Sequence, residues 1–594
     1  MKKFKAVVGC LLASSLYALM AVYAGSLSAE NLAYDKPSKT VHPKLTAHSQ
    51  TMEQRVDKIA EGVYKAIGYD IANSVMIEGK DGVIIVDVLS TVGSAKQVME
   101  EFRKITDAPV KALVYTHHHG DHINGGPGFI NPEDAVSGKV RIFAHKDLTK
   151  NLSQQAGMLV PITASRAFFM YGNYLDKGPE GVVNTGIGPA LLTGETRFLP
   201  PTDLVDERRV ETIAGMKVEM VHVPSEAKDE IALWFPEKKV LHAAEVLQGE
   251  SFPNIYTIRG DVMRDPVEWV RSIDQLRKYP AEILVRSHGR AIIGKENVAN
   301  TLTAYRDAIQ YVHDQTVRYI NKGYTPDEIV TVIDRLPPHL LSNPDLQEFY
   351  GTVKHSVRAI YNQYLGWFNG DPATLDPLPP QERAKRYVQA MGGRDAVLKN
   401  AEKALDDGDF RWAAEVTSYL ITLDREDMTA RQLKAKAFRP LAFDQINVNW
   451  RNFYLSSALE MEGKAPRPLN TRSSGVMAAM PASVVLQHMA VRVDPVKTAD
   501  LEITGAFELP SGEKYALELR RGVVQFHNQL PEKVDFTVKA AKRPLLGLTL
   551  GMRTVDQLVA VKALSVSGDQ KAAAQFFAGF DQAIPWDQIP VSLH

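Results

Sequence analysis

Four of the chain's 16 histidines fall in one short run, Thr116-His117-His118-His119-Gly120-Asp121-His122. Where a strand turns into a loop, residues two apart project to the same side. His117 and His119 can therefore face one metal ion, while Asp121 and His122, curling into the loop, face a second. Imidazole and carboxylate donors suit Zn²⁺ at about 2.0–2.2 Å. Two such ions roughly 3.5–4 Å apart can share a hydroxide and polarise one substrate oxygen together. Gly120 lets the backbone turn where a side chain would crowd the ions. The chain has one cysteine, so a disulfide within the chain and a thiolate cage are both excluded. Any metal must be held by His, Asp and Glu.

The elements that must position this run follow from hydrophobic periodicity. The strand Val110-Lys-Ala-Leu-Val-Tyr-Thr116 leads straight into it, which argues against an adventitious histidine run on a solvated loop. Upstream, after a polar leader (about 30–55), Ser74–Glu78 and Gly82–Asp87 read as strands joined at the turn Lys80-Asp81-Gly82, and Ser94–Ile105 reads as a helix. Downstream, Ile231–Phe235 and Val240–Ala243 form a second hairpin through Pro236-Glu-Lys-Lys239, and alternating strands and helices continue to about Ile293. From about Glu296 the period becomes 3.6. Helices are expected over Asn300–Lys322, Thr325–Arg335, Pro344–Leu365 and Pro380–Met391. Four more, Asp395–Asp406, Asp409–Leu423, Asp427–Ala442 and Asn449–Glu462, pair in the manner of tetratricopeptide units. Gly463-Lys-Ala-Pro-Arg-Pro468 reads as a linker. Strands return at Leu501–Leu509, Lys514–Arg520, Gly522–Asn528 and Val534–Lys539, followed by helices Pro544–Gly551, Thr554–Ala563 and Asp569–Gln582.

The chain's 594 residues exceed one hydrophobic core. The domains expected are 1–29 as a signal peptide, 30–295 as an α/β sandwich, 296–463 as a helical unit and 471–594 as a small α+β unit. Lys2, Lys3 and Lys5, the apolar run from Ala6 to about Ala24, and small residues ending at Ala29 have the layout of a secretory signal. That predicts a periplasmic or secreted protein with no stable membrane span after cleavage, and Cys10 would leave with the signal. Lys+Arg 69 against Asp+Glu 70 gives no general attraction for nucleic acid or anionic membrane. No phosphate-binding motif competes, since Gly186-Ile-Gly188 lacks the third glycine of a dinucleotide loop.

The histidine run resembles the metal motif of the metallo-β-lactamase superfamily, and further segments narrow the likeness to its alkyl sulfatases. These are Asn254–Gly260, Met263–Pro266, Gly351–His355, Tyr364–Pro372 and Trp450–Leu455. The resemblance implies a metallo-β-lactamase αβ/βα sandwich, a helical dimerisation domain and a C-terminal sterol-carrier-protein-like domain. It implies two Zn²⁺ per chain and three further ligands: Glu226 for the first metal, Glu245 as the bridging carboxylate and His288 for the second. Asp229 and Glu230 are rivals to Glu226 in the loop Val223–Glu230. The loop departs from the family pattern His-Ser-His-Val-Asp-His at positions 118 and 120, and Pro224–Asp229 departs from Thr-Glu-Ala-Pro-Ala-Glu. Position 118 is no ligand, so the change falls on the wall beside the metals.

A sulfate monoester needs cations around its oxygens and apolar surface along its chain. Arg offers a planar donor fork for such an oxyanion. Arg259, with Asn254 and Tyr256 beside it, is the first candidate. His355, on a helix with Tyr364 on a nearby turn, is the second, as an anion ligand or proton donor; a packed helix histidine is the alternative. The expected activity is hydrolysis of linear alkyl sulfates, of the dodecyl sulfate type, to alcohol and sulfate by a homodimer joined through the helical unit. The alternatives are a lactonase or β-lactamase on the same fold, and a periplasmic lipid-binding or assembly protein with a vestigial metal site.

Overall fold

The computed structural model describes residues 39–155, 158–464, 480–584 and 589–593. The expected signal with Cys10, and residues 465–468 of the expected linker, lie outside them. Among the described residues no helix is long and apolar enough to cross a membrane.

Helix α1 (Pro43–Gln50) precedes a seven-stranded sheet in sequential order: β1 (Arg55–Ala60), β2 (Val63–Ile67), β3 (Ser74–Glu78), β4 (Val83–Val86), β5 (Val110–Val114), β6 (Arg141–His145) and β7 (Asp203–Val205). The hairpin at Lys80–Gly82 pairs Val75 with Val86, and β4 then runs parallel to β5. Helix α2 (Val92–Arg103) connects them. The second sheet holds β8 (Arg208–Ile213), β9 (Met216–His222), β10 (Ile231–Phe235), β11 (Val240–His242), β12 (Ile283–Val285) and β13 (Ile292–Ile293), with β11 and β12 parallel.

Alternation of side chains makes the layers. Ile84, Val86, Ala112 and Val114 join Ile231, Leu233 and Phe235 between the sheets. The intervening Val83, Ile85 and Leu113 face Ala95, Val98 and Phe102 of α2. On the other side, Ala232 and Trp234 meet a helical layer. Burying each such aliphatic side chain contributes roughly 1.5–3 kcal/mol. A strand used on both faces must be continuously apolar, which is why these runs show no polar alternation.

Three local elements complete the frame of the site: α3 (Gly120–Ile123), α4 (Val160–Tyr171) and α5 (Pro266–Leu276). The helical region contains α6 (Lys295–Ile320), α7 (Pro326–Val332), α8 (Val353–Leu365), α9 (Pro380–Ala390), α10 (Arg394–Asp406), α11 (Phe410–Leu423), α12 (Met428–Phe443) and α13 (Val448–Met461). Residues of α6, α7 and α8 share one core with α5 and the second sheet. A separate cluster begins at Val388. The C-terminal unit is a five-stranded sheet, β16-β15-β14-β17-β18, of β14 (Glu502–Glu508), β15 (Lys514–Arg520), β16 (Val523–His527), β17 (Phe536–Ala540) and β18 (Leu564–Gly568). With it pack α14 (Lys542–Thr549), α15 (Val555–Ala560) and α16 (Gln570–Ala578).

Three expectations are corrected. The single helix Pro344–Leu365 is two pieces, because Gly351 lies too close to the Pro253 carbonyl for any side chain and Thr352 caps a new helix. The polar leader contains α1, whose Leu45 and His48 are buried against later segments. A fifth C-terminal strand, β18, follows α15; its Leu-Ser-Val-Ser-Gly sequence is too polar to read as a strand until β17 pairs with it.

Candidate metal centre

The carboxyl ends of β4, β5, β11 and β12 meet at one edge of the sandwich, the place where parallel strands leave a crevice. Beyond β5 come His117–His119 and α3; beyond β11 comes Glu245; beyond β12 comes His288. Ala244 has φ 51, a left-handed conformation that swings Glu245 inward at the strand end.

Two groups of donors result: His117, His119, Glu226 and Glu245, and Asp121, His122, Glu245 and His288, the ligand atoms of each lying within 4.8 Å of one another. In the first, His117 Nε2 lies 3.8 Å from Glu226 Oε2 and 3.6 Å from Glu245 Oε2, and His119 Nδ1 lies 2.9 Å from Glu226. In the second, His122 Nε2 is 3.3 Å from Asp121 Oδ2, which is 3.7 Å from His288 Nε2. Glu245 turns Oε2 to the first group and Oε1 to the second, where Oε1 touches His288. The structure thus gathers all seven residues singled out as ligands. Asp229 and Glu230 are held elsewhere: Asp229 accepts from His118 Nδ1 at 2.6 Å, while Glu230 binds the Ser225 hydroxyl and the Glu245 amide.

The donor set fits divalent metal. With its Nδ1 proton given to Asp87, His122 turns the bare lone pair of Nε2 toward the Asp121 carboxylate at 3.3 Å, an arrangement that is costly unless a cation lies between them. The far nitrogens of the ligand histidines are each held, which orients the rings. His122 Nδ1 donates to Asp87 Oδ2 at 2.8 Å and His288 Nδ1 to the Ile71 carbonyl at 2.8 Å. His117 Nδ1 lies 3.0 Å from the Thr116 hydroxyl, and His119 Nε2 lies 3.5 Å from Asp261. Asp87 also receives the Thr116 amide and the Ser287 hydroxyl.

Charge is balanced locally. Burial raises the Asp121 carboxyl, but His122 and then His288 outweigh it and hold it below the usual carboxylate range. Burial raises Glu226 too, yet Arg264, which contacts its Oε1, and His119 bring it down to about 2. Burial, with the neighbouring Glu226 and Glu245, pushes the Glu230 carboxyl above its usual range.

Arg259 reaches the centre: its Nη2 lies 3.5 Å from His119 Nε2 and donates to Asp261 Oδ2 at 2.8 Å. Asn254 is buried and gives its carbonyl to Arg264. Tyr256 stands edge-on to His355, ring centroids 6.1 Å apart. Tyr364 is 51% exposed, its hydroxyl bonded to His313 at 2.8 Å.

In this structure His355 takes up a capping position. Its Nε2 accepts from the Thr352 amide while Thr352 Oγ1 accepts from the His355 amide, closing a reciprocal cap on α8. Burial, helped by Arg264 and Arg358, brings its pKa down to about 3, so it carries no charge for an anion. A folded-state value below the ordinary 6.5 means that its contribution to stability is complete above pH 6.5 and is lost as pH falls toward 3. His355→Gln, which does not titrate, should show a flatter dependence of the urea midpoint on pH in that window. An unchanged slope would contradict the cap.

Several residues at the site escaped sequence reasoning. Asp87 carried a signal, an acid ending a buried strand, like Glu245. Arg264 lay in a segment noted only for its resemblance, and Asp261 fell just outside those segments. Tyr171 and Tyr350, whose hydroxyls meet at 2.9 Å, come from segments 179 residues apart and had none.

Comparison with known proteins follows this geometry. Family models match for the metallo-beta-lactamase superfamily at residues 67–288, alkyl sulfatase dimerisation at 325–464 and the alkyl sulfatase C-terminal unit at 470–589. A linear primary-alkylsulfatase of Pseudomonas sp. (strain ATCC 19151) is 43% identical over 530 residues, covering 87% of this chain and 99% of that one. An (R)-specific secondary-alkylsulfatase of Pseudomonas sp. is 32% identical, covering 92% and 84%. The solved structure of the stereoselective inverting sec-alkylsulfatase Pisa1 from Pseudomonas sp. superposes with a TM-score of 0.86 at 29% identity, covering 93% of this chain and 89% of that one. With catalytic, dimerisation and C-terminal units all matched, the chain belongs to the alkyl sulfatase family of the metallo-β-lactamase superfamily and is a sulfuric ester hydrolase.

Proposed function

We propose that the enzyme hydrolyses linear alkyl sulfates of the dodecyl sulfate type to the alcohol and inorganic sulfate, with two zinc ions held by His117, His119, Glu226, Asp121, His122 and His288 and shared by Glu245. The observation that carries this reading is the pair of donor groups joined at Glu245, with the Arg259 guanidinium beside them. Bound there, zinc supplies a nucleophile from water at neutral pH and positive charge against the sulfate oxygens. The chain's own residues do the rest. Arg259, braced by Asp261, presents a charged donor fork to the sulfate. Arg264 fixes Glu226, and Glu230 holds the backbone at Glu245. Glu226, in the loop where other hydrolases of this fold place a histidine, separates this reading from a lactonase or β-lactamase.

The basic and apolar N-terminus supports export to the periplasm or medium. The dimerisation model over 325–464 supports a homodimer, as do the exposed Leu365, Trp367 (70% exposed) and Leu375 in that stretch. A sheet lined by helices supports a sterol-carrier-protein-like reading of the C-terminal unit. The decisive experiment measures sulfate release from hexyl to dodecyl sulfates by purified protein, with metal content by mass spectrometry. About two zinc per chain and release of sulfate are expected. Metal-loaded protein that releases none from any ester would overturn the substrate.

A further inference from the structure

We propose that His118 is a positioning residue: its contact with Asp229 fixes the loop that carries Glu226, and so sets the affinity of the first donor group for zinc. This rests on the metal-centre reading above. Alternation turns His117 and His119 toward the metal and His118 away from it. His118 is buried, yet it is absent from both donor groups. Its Nδ1 meets Asp229 Oδ1 at 2.6 Å, and Asn151 Nδ2, from the helix Leu148–Gln155, donates to the same oxygen at 3.0 Å. His118 and Asp229 both lie in stretches where the chain departs from the family pattern, His118 at the place of its Ser. The contact is therefore not one that the resemblance supplies.

Backbone register brings the two together. The Ile231 amide donates to the Thr116 carbonyl at 2.9 Å, which joins the start of β10 to the end of β5. Two residues beyond that bond, one on each segment, stand His118 and Asp229, and their side chains meet. Asp229 lies near the end of the loop Val223–Glu230, three residues after Glu226. The base of that loop is closed by the Val223 amide on the Glu230 carbonyl at 2.8 Å and by His222 Nε2 on the Lys228 carbonyl at 2.8 Å. Arg264 and His119 act on the Glu226 carboxylate alone. The His118–Asp229 contact instead ties the loop's backbone to the histidine run. It stands in the wall of the site: His118, His119, Asn151, Glu226 and Arg264 line one cavity of about 90 Å³. Asp229 is fully buried, and a buried carboxylate that loses its donor costs more than the bond itself. Loss of His118 therefore shifts the loop, and Glu226 moves with it.

The test is the zinc affinity of the full chain, read by competition with a chromophoric chelator on protein stripped of metal. His118→Ala and Asp229→Ala should each weaken zinc binding by roughly 10–100-fold, the usual effect of removing a contact behind a metal ligand. The double variant should bind no more weakly than either single one, because both remove the same contact. An amide nitrogen stands near the Nδ1 position in Asn and near the Nε2 position in Gln. His118→Asn should therefore keep wild-type affinity and His118→Gln should lose it, a contrast that decides the matter even where an alanine variant does not fold. A merely structural role would lower the urea midpoint of the metal-free variants and leave their zinc affinity unchanged. Wild-type affinity in both alanine variants, losses that multiply in the double variant, or equal affinity in the Asn and Gln variants would overturn the proposal. A wild-type chain that takes up no zinc would overturn the metal-centre reading, and this inference with it. None of these readouts uses an ester, so the identity of the substrate does not enter.

Discussion

His119→Ala is expected to abolish sulfate release, lowering kcat/KM by at least about a thousandfold, and to reduce the metal bound per chain. His119 joins the donor group to the substrate side. Its Nδ1 faces Glu226 at 2.9 Å, and its Nε2 lies 3.5 Å from both Asp261 and Arg259. Removing the ring takes a donor from the first group and leaves Glu226 and Asp261 with less positive charge around them. Burial lowers and these carboxylates raise the His119 imidazole, to a net value of about 10 without metal, so a metal ion must displace a proton here. Metal uptake should accordingly strengthen as pH rises. Metal analysis and a sulfate assay on the same preparation check both parts. Wild-type turnover in the alanine variant would remove His119 from the centre.

Arg259→Ala is the second large effect, with an expected loss of about 10²–10³ in kcat/KM, the usual cost of deleting one preorganised donor to developing negative charge. The guanidinium lies in a pocket that excludes most solvent, with Asp261 2.8 Å away. Arg259→Lys should recover only part of the loss, because an ammonium on a flexible stem cannot reproduce the planar fork. Steady-state kinetics on both variants decide the matter. Lysine matching arginine would mean that charge alone suffices, and an unaffected alanine variant would exclude Arg259 from sulfate binding.

Legibility in the sequence followed distance along the chain. His117, His119, Asp121 and His122 sit within six residues, so period and backbone curvature were enough to divide them between two donor groups. Strands β3, β4, β10 and β11 were visible because residues packed between two layers must be apolar on both faces. Glu245 and His288 came through the family resemblance, and each ends such a strand. Glu226 came through resemblance alone; only packing separated it from Asp229 and Glu230, by giving His118 to one and Ser225 to the other. His355 went the other way. A histidine three residues after a threonine is a candidate ligand or a cap, and the outcome depended on Trp450 and Arg264 arriving from elsewhere.

By itself, then, the sequence determined the donor types of the His117–His122 run and the layered architecture, because both are written in neighbouring residues: donor types at fixed spacing, and apolar runs with a period of two or 3.6. Tertiary structure decided the second layer around the metals, namely Asp87 on His122, Asp261 between His119 and Arg259, and Arg264 on Glu226. It also decided the Tyr171–Tyr350 pair. These contacts close over separations of tens to hundreds of residues. No local propensity encodes them, and they exist only because packed sheets and helices bring remote side chains to one edge of the sandwich.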